Sequence, residues 1–198
     1  MAKQNSYGIK EVADVYFFPV GTTFSFSGDT FTPYISGASV SIGSADYIFD
    51  SLKVSNIEVA AEETSAKGGK GNPELISWSY GKTATLTVED ALMSLDSLNL
   101  MHGGKDDEDV NTITIDANSF PGAYTIIGKT VVRSFATQQD EPFYIIIPKG
   151  RPQVGGTLTL QAEGDPSTFE MTIKALAADF GGSKDVLVVY KKVEAAGA

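Results

Sequence analysis

The stretch 77-SWSYGKTATLTVE-89 decides the fold class of this chain. Apolar and aromatic residues alternate with hydroxyl residues along it, which is the period of a β-strand with one buried face and one polar face. The apolar set consists of Trp78, Tyr80, Ala84, Leu86 and Val88. We therefore predict one long strand in which Trp78 and Tyr80 pack in the core and Lys82 marks a bend or an exposed end.

The same alternation recurs along the chain and predicts a mainly β protein. Further strands are predicted at 15–18, 52–60, 112–115, 124–134, 143–147, 157–162, 168–175 and 186–193. Within 52–60 the apolar phase slips near Asn56, which is typical of a β-bulge. The segment 89–104 has apolar residues at helical spacing and predicts one helix that ends at Gly103. No change of composition divides the chain, so we expect a single domain over residues 1–198.

The polar segment 62–74 joins two predicted strands, and we expect it to be a long loop. Its centre consists of Lys67, Gly68, Gly69, Lys70, Gly71 and Asn72, a composition that is also found in phosphate-binding loops. Such a site requires the spacing G-x-x-x-x-G-K-[S/T] and a helix after it. Here the spacing fails and a strand follows, so we interpret residues 67–72 as a flexible basic loop.

A second polar loop carries the acidic run Asp106, Asp107, Glu108 and Asp109. A calcium loop that started at Asp107 would need Gly at its sixth position and Glu at its twelfth, whereas Thr112 and Asn118 stand there. We therefore expect a solvated acidic loop and no metal site.

The chain has one histidine, His102, and no G-x-S-x-G motif, so we predict that it is not an enzyme and has no cofactor.

The charge of the chain limits its partners. A net charge of −10 and a pI near 4.5 argue against a surface that grips the phosphates of nucleic acid. The absence of cysteine excludes disulfides and thiolate metal sites. The sequence shows neither an apolar N-terminal leader nor an apolar run of about 20 residues, so we expect a cytoplasmic protein without a membrane partner.

Four segments resemble, in the same order, stretches of the tail tube proteins of tailed bacteriophages. They are GGKGNPELISWSYGKTATLTVEDALMS (68–94), FPGAYTIIGKTVVRS (120–134), DEPFYIIIPKGR (140–151) and LTLQAEGDPSTFEMTIKAL (158–176). Residues 20–50 resemble no part of that family, and we expect them to be a lineage-specific elaboration of the single domain.

The resemblance implies a β-sandwich or β-barrel of tail-tube type, with one flanking helix and long assembly loops, similar to the tube of type VI secretion systems. It implies a structural virion protein whose subunits form hexameric rings, and whose stacked rings form a conduit that DNA crosses without specific binding. The implied partners are other copies, a sheath or terminator protein and baseplate or tip proteins, with assembly in the bacterial host cytoplasm.

Within this family, loop 67–72 would make contacts between subunits or rings, with acids such as Asp106 to Asp109 as its counterpart. A strand with a hydroxyl face suits the wall of a water-filled conduit, and a negative charge suits a conduit that must not hold DNA.

Two other interpretations share the composition and the lack of an active site. One is a different β protein of the virion, such as a capsid decoration or head–tail connecting subunit. The other is a carbohydrate-binding β-sandwich in which Trp78, Tyr80 or Tyr34 stacks on a sugar. We rank the latter low because Trp78 and Tyr80 are predicted to pack in the core.

Overall fold

The computed structural model describes residues 6–9, 14–92, 94–106, 112–135, 137–155 and 169–193. The strands in those ranges are β1 (Tyr7–Ile9), β2 (Asp14–Pro19), β3 (Thr23–Ser27), β4 (Thr30–Ile35), β5 (Ala38–Ser39), β6 (Tyr47–Phe49), β7 (Leu52–Lys67), β8 (Glu74–Asp90), β9 (Lys105–Asp106), β10 (Ile113–Thr114), β11 (Tyr124–Ser134), β12 (Asp140–Pro152), β13 (Phe169–Ala175), β14 (Ala178–Phe180), β15 (Ser183–Val186) and β16 (Val189–Lys192). The α-helix, α1, is Leu95–His102, and a 3-10 turn covers Ile42–Ser44. The prediction of a mainly β protein with one flanking helix is confirmed.

One antiparallel sheet organises the molecule. Its strands follow the order β6, β2, β11, β12, β13, β8, β7, while β1 also pairs with β11 and β16 also pairs with β12. The two long central strands, β11 and β12, therefore have different neighbours at their two ends. A strand that changes partners along its length belongs to a sheet that bends, as in sandwiches and barrels.

A hydrophobic core lies on one face of this sheet. It includes Phe49 from one end of the strand order and Leu86 and Val88 from near the other end, together with Met171 and Ile173 of β13. Since residues from distant strands meet in one cluster, the sheet curls around this core. Helix α1 contributes Leu100 and Met101 to the same cluster.

A second, smaller core covers the opposite face of the central strands. Adjacent residues of one strand point to opposite faces. Accordingly Phe17 and Ile126 join the first core, while Phe18 and Ile127 join the second. A meander formed by β3, β4 and β5 packs on this second face with Phe24, Phe26 and Phe31. Edge-to-face contacts of Phe18 with Phe24 and of Phe31 with Tyr144 hold the meander against the sheet.

The helix is shorter than predicted, and it begins at Leu95 because Ser94 caps it. The Ser94 side chain accepts a hydrogen bond from the Ser97 backbone N–H, and the Ser97 side chain accepts one from the Ser94 backbone N–H. The predicted end is confirmed, since Gly103 adopts the left-handed conformation with φ of 68°. Among the described helices, none is long and apolar enough to cross a membrane.

Several strands differ in length from the strands that were predicted. The strand predicted at 112–115 is only Ile113–Thr114, and the one predicted at 143–147 extends over Asp140–Pro152. The segment 186–193 is divided between the end of β15 and β16. The strand predicted at 157–162 lies outside the described residues. The largest difference concerns residues 60–83.

Candidate assembly surface

Strands β7 and β8 leave the body of the protein together and form an arm, which we define as residues 60–83. The two strands are paired from Leu52 to Lys67, and residues 68–73 connect them. Every arm residue is exposed except Ser65 and Gly68, which are half-buried. The next residue of β8, Ala84, is only 1% exposed. At about 3.3 Å per residue, the eight β7 residues of the arm extend roughly 25 Å from the body.

The arm shows that the prediction of a loop at 62–74 is wrong. Residues 62–67 continue β7, and Glu74 begins β8. A ribbon of two strands that is exposed on both faces is held by the backbone hydrogen bonds between them, and its polar residues need no apolar partners. The β7 half, Glu-Glu-Thr-Ser-Ala-Lys, therefore carries no apolar alternation that would reveal a strand.

The predicted basic loop, Lys67 to Asn72, forms the tip of the arm and is an ordered turn. The Gly68 N–H donates to the Pro73 carbonyl at 3.1 Å, and the Asn72 N–H donates to the Gly69 carbonyl at 3.1 Å. Gly69 and Gly71 have φ of 85° and 89°, values that disfavour residues with a side chain. The glycines therefore shape the turn, and they present Lys67 and Lys70 at the far end of the arm.

A β-bulge separates the arm from the body and changes the face on which side chains lie. Ala60 pairs with Thr83 and Glu62 pairs with Tyr80, so two residues of β8, Gly81 and Lys82, oppose one residue of β7. Gly81 has a φ of 61°, as expected in a glycine bulge. The extra residue shifts the alternation of β8 by one position. Even-numbered side chains of β8 therefore lie on one face before the bulge and on the opposite face after it.

The bulge overturns the prediction that Trp78 and Tyr80 pack in the core. They are 53% and 52% exposed, and they lie on the face opposite to that of Ala84 and Leu86. With Ile76, which is 56% exposed, they form an apolar row along one face of the arm. We call these three residues the aromatic row. Exposed apolar surface of this extent commonly marks a site of contact with another molecule.

The other face of the arm is polar. It carries Ser77 and Ser79 of β8, which pair with Ser65 and Glu63 of β7. The Ser79 hydroxyl donates to the Glu63 carboxylate at 3.2 Å. The arm therefore carries the aromatic row on one face, Ser77 and Ser79 on the other and two lysines at its tip, and these three features can be changed separately by mutation.

The predicted acidic segment is described only in part. Asp106 lies in β9 and pairs with Ile113 of β10, while Asp107, Glu108 and Asp109 fall outside the described residues. His102 is half-buried in the last turn of α1. Among the residues that the structure describes, no three His, Asp or Glu side chains are grouped to hold a metal ion.

A cleft of about 430 Å³ lies at the end of the sheet where β8 ends at Asp90. Its lining includes four carboxylates, Asp46, Asp50, Asp90 and Asp96, and two exposed apolar residues, Ile48 and Leu92. Asp90 is buried and accepts hydrogen bonds from the Ser51 hydroxyl and the Leu92 N–H. Partial burial raises the pKa of Asp46 above its usual value. We call this feature the acidic cleft; sequence reasoning missed it because its residues come from separate segments.

The opposite end of the same sheet is basic. Arg151 of β12 and Lys174 of β13 are direct cross-strand partners, and Lys174 pairs in turn with Thr85, close to the base of the arm. Like charges in direct register repel each other. The Arg151 Nε donates to the Pro121 carbonyl at 3.1 Å, which fixes one of these cations. The sheet thus has a basic end, from which the arm projects, and an acidic end.

The model of the YomU/Tube protein family matches this chain at residues 46–109 and 104–189, which include the whole arm. The chain belongs to the YomU/Tube protein family. This membership assigns it to the tube-type structural proteins of bacteriophages, in agreement with the resemblance seen in the sequence. A search of curated proteins finds no significant match.

Membership in the YomU/Tube family gives a context for the exposed arm. Tube-type proteins are structural proteins that assemble with other copies and with other tail proteins. The meander of β3 to β5 precedes the first matched residue, 46, and therefore lies outside the matched segments.

Proposed function

We propose that this protein is the subunit of a bacteriophage tail tube, in which hexameric rings stack into a hollow conduit for DNA. The observation that carries the proposal is the exposed arm with its aromatic row, in a member of the YomU/Tube family. Other copies are the main partners, and sheath or terminator and baseplate or tip proteins meet the two ends of the tube. The tube is assembled in the host cytoplasm and becomes part of the virion tail.

The arm is the element that joins one subunit to another. Leaving Ile76, Trp78 and Tyr80 in water is unfavourable, at about 25 cal/mol for each Å² of apolar surface. Aromatic residues are also enriched at protein interfaces, where their burial dominates the binding energy. In the assembled tube a neighbouring copy covers this face, and the basic tip adds electrostatic attraction to an acidic surface.

The polar face of the β13–β8–β7 sheet supplies the wall of the conduit. Cross-strand pairing places one set of polar side chains on this face: Asn56, Glu58, Thr85, Thr87, Glu89, Glu170, Thr172 and Lys174. The hydroxyls bind water, and the three glutamates outnumber the one lysine. A wall of this kind repels phosphates rather than holding them, so DNA passes without specific binding.

The whole chain acts as one tail-tube domain, and residues in the range 20–50 are an elaboration added to it. Two observations support this proposal. The meander covers a separate core on the face of the central strands opposite to the main core, and the family match begins only at residue 46. The added layer gives the subunit an outer surface that differs from that of relatives without it.

Electron microscopy of the purified protein at increasing concentration tests the proposed function. We expect open-ended stacks of rings with a central hole. The double variant W78S/Y80S should fold normally by circular dichroism but form few tubes. The matched control, S77A/S79A, changes the hydroxyl face of the same arm and should assemble like wild type. Closed trimers or isolated rings would instead favour a decoration or connecting subunit, because open stacks require a head-to-tail interface.

Sugar binding is a second candidate, since the exposure of Trp78 and Tyr80 removes the reason for which we ranked it low. Aromatic rings on one face, with Glu62 and Thr64 opposite them on β7, offer stacking together with hydrogen-bonding groups. A glycan array with wild type and W78A distinguishes this function from assembly. Binding that is lost in W78A supports it, and an array without signal excludes it.

A further inference from the structure

The arm and the acidic cleft lie at opposite ends of one sheet. The arm leaves the body at Thr83, and the cleft is formed where the same strand ends at Asp90. Between the two ends, β8 and β13 run side by side from Thr85 opposite Lys174 to Asp90 opposite Phe169. The arm points away from the cleft of its own subunit and cannot reach it. Any contact between these two features must join two different copies.

The surfaces at the two ends are complementary in charge. The tip of the arm carries Lys67 and Lys70, and one carboxylate, Glu74, is the cross-strand partner of Lys67. Within the described part of the chain neither lysine takes part in an ion pair, so both are available to a neighbour. The acidic cleft presents three exposed aspartates, Asp46, Asp50 and Asp96, and no basic residue is part of its described lining. Opposite charges that face each other across an interface fix its register and exclude wrong partners.

The two surfaces are also complementary in their apolar parts. The aromatic row offers Ile76, Trp78 and Tyr80, all more than half exposed. The rim of the cleft offers Leu92 and Ile48, which are 69% and 46% exposed, and Leu95 at the start of α1 is 42% exposed. An apolar patch with charges beside it is the usual composition of an interface with a buried centre and a polar rim.

We propose that the arm of each subunit docks on the acidic cleft of a subunit in the next ring, with Lys67 and Lys70 facing Asp46, Asp50 and Asp96 and the aromatic row covering Ile48 and Leu92. The proposal rests on the proposed function, because it names the surface that receives the arm. The interface joins two different surfaces, head to tail, and therefore propagates without closing. The opposite charges of the two ends give the tube its direction.

Reciprocal charge reversal tests this contact. We expect K67E/K70E and D46K/D50K each to lower the yield of tubes by about tenfold or more, because like charges would then meet at every contact between rings. The combination of the four substitutions should restore most of the yield. All four positions are exposed, so the monomers should keep the melting temperature of wild type. The matched controls, K184E and D179K, change exposed residues of the β14–β15 hairpin and should assemble normally.

The absence of native cysteine permits a direct second measurement. We expect K70C/D50C to form disulfides along the tube, which appear as a ladder of multimers on a non-reducing gel. K70C/D185C should give no ladder.

The outcomes separate this proposal from the proposed function. If wild type forms no tubes, the proposed function fails first. If wild type forms tubes but the reversed pairs do not rescue each other, or if K70C/D106C gives the ladder instead of K70C/D50C, the tube stands and the docking site proposed here is wrong.

Discussion

Strands β7 and β8 each have one half in the body and one half in the arm, and the two halves share a single backbone ladder. In the body half, Ala84, Leu86 and Val88 of β8 are at most 4% exposed. In the arm half, Trp78 and Tyr80 of the same strand are more than half exposed. The two strands therefore stay paired in the arm although their side chains there do not pack in the core.

The energetic consequence is a division of roles. Burial of apolar surface in the body half stabilises the monomer, whereas the arm half gives the monomer little, since isolated hairpins are marginally stable in water. The apolar area of the arm therefore stays exposed in the monomer, where it is available for contacts with another molecule. Among the described strands, β7 is also the last in the sheet order, so none of them pairs with its outer edge, which can pair with or pack against a neighbour.

We expect the largest difference in stability between body and arm when an isoleucine is replaced by alanine in each of them. Ile173 is fully buried, and I173A should cost about 2–5 kcal/mol of unfolding free energy. Ile76 is 56% exposed, and I76A should cost less than about 0.5 kcal/mol. Urea denaturation followed by far-ultraviolet circular dichroism measures both. Trp78 is the only tryptophan, so fluorescence would report on the arm rather than on the body. Equal costs would mean that the arm packs on the body in solution.

Two glycines with positive φ provide the next comparison. Gly103 ends α1 with φ of 68°, and a Cβ there would lie 2.3 Å from the backbone carbon of Phe120. We expect G103A to lower the free energy of unfolding by about 3 kcal/mol, because left-handed strain and a clash with the backbone add up. Gly69 at the tip has φ of 85° and open space around it, so G69A should cost about 1 kcal/mol from strain alone. Thermal unfolding of both variants checks the ranking, and a G69A cost as large as that of G103A would contradict the open tip.

The sequence predicts the body well and the arm poorly, for one physical reason. Alternation indicates burial of one face, and it correctly predicted β13, whose side chains alternate between buried and more exposed positions. The bulge predicted near Asn56 lies instead at Lys53, and residues 54–60 pair regularly with β8. The slip was visible in the sequence because Leu52 and Ile57 both pack against the core. In β8 the apolar residues keep their even numbering across the bulge, so the sequence shows no slip although the face changes.

The candidate site was located by composition but misjudged in conformation. The glycines and lysines of 67–72 lie in the turn of the arm, and their contact with other subunits stays a prediction. What the sequence did not show is that the flanking residues are strands, because a ribbon without a buried face has no apolar period. Gly81 followed by Lys82, inside an otherwise regular strand, was the one available sign of the bulge.

A buried hydroxyl gives a smaller effect that again separates body from arm. Tyr144 is fully buried in the second core, and its hydroxyl has no hydrogen-bond partner within the described residues. We expect Y144F to stabilise the protein by about 1 kcal/mol, because an unsatisfied polar group is removed. Tyr80 in the arm is 52% exposed, so Y80F should leave stability unchanged.

The pH dependence of stability tests the same tyrosine. Burial, with a smaller effect of the nearby Asp29 carboxylate, raises the pKa of Tyr144 from 10.0 to about 12. A raised pKa means that the folded state holds the proton more tightly than the unfolded state. The contribution of the Tyr144 proton to the free energy of unfolding is therefore fully present below pH 10 and is lost as the pH rises toward 12. Denaturation of wild type and Y144F at several pH values should show a shallower alkaline loss for Y144F. Parallel curves would show that Tyr144 does not titrate with unfolding.

The smallest expected effect concerns the polar face of the body. Glu170 and Glu89 are direct cross-strand partners, and like charges in that position are unfavourable. We expect E170K to stabilise the monomer by about 0.5 kcal/mol, while E63K on the hydroxyl face of the arm, opposite Ser79, should change stability little. If this sheet face lines the conduit, E170K should also slow the release of DNA from assembled phage, because the wall then attracts phosphates. A gain in stability without slower release would remove this face from the conduit and leave the arm's role unaffected.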